Sequence, residues 1–212
     1  MRSATLSAPA FSAADFRRRA AGEAGPFASD DFGDHRLNPG LREMIVRDGL
    51  RDAAVLVPVI DHGSEATVLL TQRNANLRSH SGQVAFPGGR IDAGDPSAEA
   101  AALRETMEEI GLPGDRIEVI GRLPDYVSGS GYRIAPVLSV VKPGFRLHLN
   151  PAEVDAAFEV PLAFLMDPAN HHRQSRIWNQ VERYFYEMPF GERYIWGVTA
   201  GIIRTLYERL YA

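Results

Sequence analysis

Three glutamates crowd onto one face of a predicted helix. Glu105, Glu108 and Glu109 stand at positions i, i+3 and i+4, which share a helix face. Carboxylates this close repel one another and raise one another's pKa. Arg104 supplies a positive charge, but its side chain leaves the helix about 100° from that of Glu105. The spacing therefore predicts a bound divalent cation, Mg²⁺ or Mn²⁺, since hard carboxylate oxygens suit these ions.

Two glycines precede this helix, Gly88 and Gly89 in the run FPGGR (86–90). Without side chains, their backbone groups are open to close approach by a ligand. Mg²⁺ in proteins keeps a few carboxylates and also binds substrate phosphates. The corner and the acidic helix together predict a metal-assisted site for a phosphoanhydride. A solvated acidic surface helix is the ordinary alternative for the glutamates considered alone.

Composition narrows the function classes. The chain has 212 residues, 45% of them hydrophobic, and a net charge of −4, so we expect a globular protein without a nucleic-acid-binding surface. It has no cysteine, which excludes disulfides, thiolate zinc sites and a cysteine nucleophile, and fits the cytoplasm. The apolar runs are too short to span a membrane. Lys142 is the only lysine and lies outside any P-loop motif.

The hydrophobic pattern predicts an α/β domain with a mixed β-sheet. A helix is expected over 96–110, capped by Asp95 and ended by Gly111. Strands are predicted at 53–60, 66–73, 116–123, 132–141, 145–149, 183–190 and 193–197, with a strand passing into a short helix within 150–167 and an amphipathic helix from Thr199 to Leu210. Residues 1–49 are predicted to be an N-terminal extension with short helices, one of them capped by Ser12. A transit peptide is the alternative for its first residues.

The run RETMEEIGL (104–112) resembles the second half of the Nudix box, Gly-x5-Glu-x7-Arg-Glu-apolar-x-Glu-Glu-x-Gly-apolar. The first half departs from that pattern. Counting from Gly89, Asp95 stands where the box has its first glutamate, and eight residues rather than seven precede Arg104. The resemblance implies a Nudix-like α/β/α sandwich and a Nudix hydrolase domain over residues 50–212.

An upstream segment narrows the resemblance to one branch of the family. The run LLTQRNANLRSHSGQVAFPGG (69–89) is similar to the signature of the coenzyme A pyrophosphatase branch, except that Gln83 stands where a glutamate is common. The run YFYEMPFGERYIWGVTAGII (184–203) also resembles that branch. The implied reaction is hydrolysis of coenzyme A or an acyl-CoA to 3′,5′-ADP and phosphopantetheine. Hydrolysis of ADP-ribose, NADH, dinucleotides or (deoxy)nucleoside triphosphates is one alternative, and a non-catalytic nucleotide-binding module is another.

The resemblance also implies roles for the acidic residues. Glu105 and Glu109 would ligate the metal, with Glu108 as a further ligand or as the base that positions water. The carbonyl of Gly89 would complete the metal shell. Arg104 would hold a carboxylate through a bidentate pair.

Substrate binding is assigned to Arg73, Arg78 and His80, together with the Gly88-Gly89 corner. The partner is thus a CoA-like small molecule, bound by a monomer or a homodimer. Three further assignments complete the predictions. Glu153 is either an acid at a helix start or a distal base, and Trp196 is either a core residue or a platform for adenine. His171-His172 is predicted to lie in a loop.

Overall fold

The structure is a computed structural model that describes residues 8–22, 32–47, 49–77, 79–178 and 180–212. The helices are α1 (Ala13–Gly22), α2 (Leu41–Arg47), α3 (Ala98–Ile110), α4 (Leu162–Leu165) and α5 (Val198–Leu210). The strands are β1 (Phe32–Gly33), β2 (Arg51–Asp61), β3 (Ala66–Arg73), β4 (Val84–Ala85), β5 (Gly88–Arg90), β6 (Ile117–Arg122), β7 (Tyr126–Val127), β8 (Tyr132–Val141), β9 (Val154–Pro161), β10 (His172–Trp178), β11 (Val181–Phe190) and β12 (Arg193–Trp196).

Nine strands form one mixed sheet, as predicted. Its central order is β1-β7-β8-β2-β3-β4, while β5 pairs with β2, β6 with β8 and β9 with β3. The pairs β2–β8 and β1–β7 are parallel and the others are antiparallel. The long β2–β8 pair therefore forms the centre, and β5 brings the Gly-Gly corner beside it.

Helices cover both faces of this sheet because the central strand is apolar on both sides. Ala54 and Leu56 point to one face, where they pack against alanines of α3. Val57 and Val59 join the larger cluster on the other face, which includes residues of α1, α4 and α5. Successive side chains of a strand alternate between faces, so one strand can support both layers. The predicted α/β/α sandwich is confirmed.

The acidic helix begins later than predicted and ends where predicted. Ser97 is its N-cap, with φ −160° and its hydroxyl accepting the Ala100 N–H at 3.2 Å. The prediction that Asp95 caps this helix is wrong, because the Asp95 carboxylate accepts hydrogen bonds from Arg104 instead. At the other end Gly111 adopts the left-handed conformation, φ 66°, which glycine tolerates without a steric penalty.

The predicted strand at 145–149 is wrong. This segment is irregular and covers the end of α3, whose last carbonyls need partners. The His148 N–H donates to the Ile110 carbonyl at 2.9 Å, and the Asn150 N–H donates to that of Glu109 at 2.9 Å. The alternating sequence is therefore used to complete a helix terminus rather than a sheet.

A separate sheet of three antiparallel strands, in the order β10-β11-β12, packs beside α5. The loop expected at His171-His172 is present at His171, which has no regular structure, and is wrong for His172, which begins β10. His171 is buried, and its Nε2 lies 2.7 Å from the Leu165 carbonyl. This hydrogen bond and the pairing of β10 with β11 fix the backbone there.

The N-terminal residues contribute to the core. Ser12 caps α1 as predicted, its hydroxyl accepting the Asp15 N–H at 3.2 Å, and Phe16 is fully buried in the main cluster. The strand β1 pairs in parallel with β7. The domain boundary placed after residue 49 stays a prediction. Within the described part of the chain, no helix has the length and apolar character needed to cross a bilayer.

The left-handed end of α3 generates a stability prediction. A methyl group at Gly111 would lie 2.9 Å from the His148 Cβ, at a φ that side chains disfavour. We expect Gly111→Ala to lower the free energy of unfolding by about 1–3 kcal/mol. Gly114→Ala is the matched control, because its methyl group would meet nothing within 4 Å. Urea denaturation checks this, and equal effects of the two substitutions would contradict it.

Candidate active site

The Gly-Gly corner lies against the acidic face of α3. The Gly88 N–H donates to Glu109 Oε2 at 3.1 Å. A methyl group at Gly89 would lie 2.5 Å from the Glu105 carboxyl carbon, so only glycine fits without moving that carboxylate. The strand β5 holds both glycines in place by pairing with β2. The predicted juxtaposition of corner and carboxylates is therefore present.

Glu109 is the most deeply placed acid of the site, with 2% of its surface exposed. Burial raises the pKa of Glu109 to about 7, because the ionised carboxylate loses its water. The Gly88 N–H and Arg73 offset part of this increase, whereas the charges of Glu153 and Glu105 add to it. The site therefore holds a carboxylate whose negative charge is only partly compensated.

Arg73 is the positive group facing Glu109. It ends β3, and its Nη1 lies 3.5 Å from Glu109 Oε1, a long ion pair. Its Nε is buried and has no hydrogen-bond partner among the residues that the structure describes. A buried donor without a partner is costly, so this atom is suited to an incoming acceptor such as a phosphate oxygen. The structure thus brings Arg73 to the acidic helix, while its substrate-binding role stays a prediction.

Arg104 joins the helix to the loop before it. Its guanidinium donates to both oxygens of Asp95, at 2.9 Å each, in a bidentate pair. Its Nη1 also donates to Glu105 Oε1 at 2.9 Å and to Glu108 Oε2 at 3.1 Å. These bonds hold the pKa of Asp95 down at about 2. The acid that stands in the place of the box's first glutamate therefore locks Arg104, despite the extra residue in the spacing.

The remaining helix acids differ in their surroundings. Burial raises the pKa of Glu105, although the hydrogen bond from Arg104 acts in the opposite direction. The side chain of Glu108 is 56% exposed and is held by the same guanidinium. Glu105 thus turns inward toward Gly89 and Glu109, while Glu108 stands at the rim of the site.

The sequence left two alternatives for Glu153, an acid at a helix start and a distal base. It lies in the turn before β9, so the reading as an acid at a helix start is wrong. Its charge raises the pKa of both Glu105 and Glu109, which places it at the same acidic site. The Asn150 side chain donates to its Oε1 at 3.1 Å. The only signal in the sequence is its position directly before a strand that pairs with the strand carrying Arg73.

The donors at this site fit a hard dication. Glu105 and Glu109 offer carboxylate oxygens one helical turn apart, and burial raises the pKa of both, with nearby negative charges adding to the increase. In the described residues no three or more acidic, histidine or cysteine side chains are already gathered as metal ligands. Arg104 and Arg73 contact the carboxylates of Glu105 and Glu109 there. Which acids bind metal stays a prediction.

Other predicted residues lie in the loop between β3 and β4. His80 is exposed in a left-handed conformation, φ 55°, with Nδ1 2.9 Å from Gln83 Oε1. Arg78 lies outside the described residues. The substrate-binding roles of both residues stay predictions.

Trp196 is not a core residue, so that reading is wrong. It is half-buried on the outer face of the small sheet, edge-on to Phe185 with ring centroids 5.4 Å apart. The guanidinium of Arg176 lies 5.2 Å from its ring centroid. The alternation of β12 explains this, because Ile195 takes the inward position next to it.

The burial of Glu109 predicts how stability depends on pH in metal-free protein. A carboxyl whose pKa is higher in the folded state favours folding at low pH and loses that contribution as pH rises through its folded pKa. With the pKa raised from 4.5 to about 7, unfolding should become easier by up to about 3 kcal/mol between about pH 5 and pH 7.5. Glu109→Gln should flatten this slope, whereas Glu99→Gln on the same helix should keep it. Urea denaturation in EDTA measures both, and an unchanged slope in Glu109→Gln would contradict the assignment.

The contact between Gly89 and Glu105 predicts a loss of metal binding. Gly89→Ala must displace the Glu105 carboxylate, so we expect Mn²⁺ affinity to fall roughly 10- to 100-fold. Gly94→Ala, whose methyl group would meet nothing within 4 Å, is the matched control. Titration with Mn²⁺ followed by electron paramagnetic resonance measures the affinity. Identical affinities of the two variants would show that Gly89 does not shape a metal site.

Comparisons with known proteins place this chain in a family. Residues 50–185 match the NUDIX domain family. The uncharacterized Nudix hydrolase NudL of Photorhabdus laumondii is 44% identical over 165 residues, which are 77% of this chain and 87% of that protein. The NudL protein of Escherichia coli K12 is 43% identical over 169 residues, 78% of this chain and 87% of its own. The NUDIX domain of Shewanella oneidensis NrtR complexed with ADP ribose superposes with a TM-score of 0.48 at 21% identity, covering 76% of this chain and 89% of that one.

Proposed function

Because the chain belongs to the Nudix family and is a pyrophosphohydrolase acting on a nucleoside diphosphate derivative, we propose that this derivative is coenzyme A or an acyl-CoA. The products would be 3′,5′-ADP and phosphopantetheine or its acylated form. The observation that carries the proposal is the segment 69–89, which resembles the coenzyme A pyrophosphatase signature and contacts the acidic helix at both ends. Arg73 near its start and Gly88 near its end both contact Glu109.

The chain's own residues would bind and orient the diphosphate. In the described part of the chain the buried Nε of Arg73 has no partner, and its ion pair with Glu109 is long, so its guanidinium is suited to bind a phosphate oxygen. The backbone at Gly88 and Gly89 lies close against the helix carboxylates, where it would help to position the substrate. Arg78 and His80 would bind the diphosphate or a ribose phosphate of the substrate.

A divalent cation would be held by Glu105 and Glu109, with Glu108 and the Gly89 carbonyl as further ligands. When bound, Mg²⁺ or Mn²⁺ neutralises charge on the pyrophosphate and lowers the pKa of water. Nudix enzymes generally require such an ion. Arg104 would keep Glu105 and Glu108 oriented through its bidentate pair with Asp95, so it is a positioning residue.

The attacking water needs a proton acceptor. Water adds to one phosphorus of the pyrophosphate, the bridging P–O bond breaks, and the other phosphate leaves with the electron pair. Glu108 is the helix candidate for accepting the proton, because Glu105 and Glu109 are the proposed metal ligands. Glu153, in the turn before β9, is the second candidate, since its charge acts on Glu105 and Glu109.

A substrate panel tests the proposal. We expect coenzyme A and acetyl-CoA, supplied with Mg²⁺, to give a higher kcat/KM than ADP-ribose, NADH and dGTP. Product analysis should find 3′,5′-ADP, since cleavage falls within the pyrophosphate. Equal or faster turnover of any other panel member would overturn the coenzyme A assignment while leaving the pyrophosphohydrolase class intact.

Replacing one carboxylate separates an enzyme from a binding module on the same fold. Glu109→Gln keeps the size of the side chain and removes its charge, so turnover should fall at least about a hundredfold. Affinity for coenzyme A, measured calorimetrically without metal, should stay within a fewfold of wild type. Glu99→Gln, on the same helix but paired with Arg122, should retain activity. Full turnover in Glu109→Gln would contradict the catalytic role.

A further inference from the structure

The strand β10 forms an open edge of the small sheet. It pairs with β11 along its whole length, from His172 opposite Glu187 to Trp178 opposite Val181. In the part of the chain that the structure describes, no other strand pairs with it. All of its side chains except Ser175 are exposed. An edge of this kind presents unpaired N–H and C=O groups that can bond to another strand.

The usual protections of an edge strand are missing from β10. Its sequence, HRQSRIW, contains neither proline nor lysine, and its pairing with β11 runs without a bulge. Its two arginines fold back over the sheet. The guanidinium of Arg173 lies 4.4 Å from the ring centroid of Tyr184, and that of Arg176 lies 5.2 Å from that of Trp196. These cations therefore do not guard the free backbone edge.

The free end of the hairpin is also unusually apolar. Ile177 and Trp178 are 79% and 72% exposed, and Val181 on the adjacent strand is 47% exposed. They are three of the five large hydrophobic residues that are exposed in the described part of the chain. Such a concentration at one tip favours burial against a partner.

We propose that β10 binds the same strand of a second copy of this chain, antiparallel, about a two-fold axis through Ser175. The two small sheets then form one continuous sheet of six strands. In this register Gln174 lies opposite the partner's Arg176, Arg173 opposite the partner's Ile177, and His172 opposite the partner's Trp178. Ile177 of each copy then lies beside the partner's Arg173, and Trp178 lies beside the partner's His172, so that the two rings are in contact.

Charge selects this register. A two-fold axis normal to the sheet leaves every side chain on its own face, and residues opposite each other in an antiparallel pair point to the same face. The axis must therefore lie midway between one residue and the same residue of the partner, and we name each register by that residue. An axis through Arg176 would place two arginines opposite each other, and an axis through Gln174 would place His172 opposite the partner's Arg176. The axis through Ser175 avoids the arginine pair and is the one register that pairs all seven residues of the strand.

Opposite charges at position 174 test the interface. The Gln174 amide donates to Glu187 of its own chain at 3.1 Å. Lysine at 174 would be attracted to Glu187 but repelled by the partner's Arg176, and glutamate would experience the reverse. Effects on folding and on dimerisation therefore have opposite signs in each variant, so misfolding cannot imitate the expected result.

The measurement is sedimentation velocity of the full chain over a range of protein concentrations. Wild type should dimerise reversibly, Gln174→Lys should raise the dimer Kd roughly tenfold, and Gln174→Glu should lower it severalfold. Amide hydrogen exchange along β10 should slow as the dimer forms. A monomer at every concentration up to the solubility limit would overturn the proposal. A dimer that the two substitutions leave unchanged, or shift in the same direction, would also overturn it.

Discussion

The site is built around the carboxylate of Glu109, which has too little positive charge around it. Glu109 is buried between α3 and the glycine corner, where one backbone N–H and one distant guanidinium are its partners. Glu105 and Glu153 bring further negative charge to the same place. Such an arrangement costs stability in the folded protein unless a cation joins it. This cost is the physical basis of the prediction that a divalent cation binds here.

The surrounding fold distributes the positive charge unevenly among the acids. Arg104 binds Asp95, Glu105 and Glu108 on the outer side of the helix, which fixes those side chains without neutralising Glu109. The glycine corner approaches from β5, and the guanidinium of Arg73 comes from β3. The last carbonyls of the helix are bonded by the segment that leads to Glu153. The same backbone that completes α3 therefore also delivers the fourth acid to the site.

The sequence predicts the helix, the corner and the mixed sheet because each has a strong local signal. The glutamate spacing and Gly111 define α3, and the apolar runs define the central strands β2 and β3. The cap was misassigned because Asp95 and Ser97 are both good caps, and the choice depends on which of them Arg104 binds. The strand β10 was missed because its exposed, polar sequence lacks the alternation of a half-buried strand. Glu153 could not be placed, since its nearness to the helix arises from strand pairing between distant segments.

A crystal grown with Mn²⁺ tests the central claim most directly, because the anomalous signal of manganese locates the ion without assumptions about the protein. The account predicts an anomalous peak bonded to the carboxylates of Glu105 and Glu109 beside the glycine corner, with Arg73 no longer paired to Glu109. A fully occupied peak elsewhere, or no peak while Arg73 remains on Glu109, would contradict it.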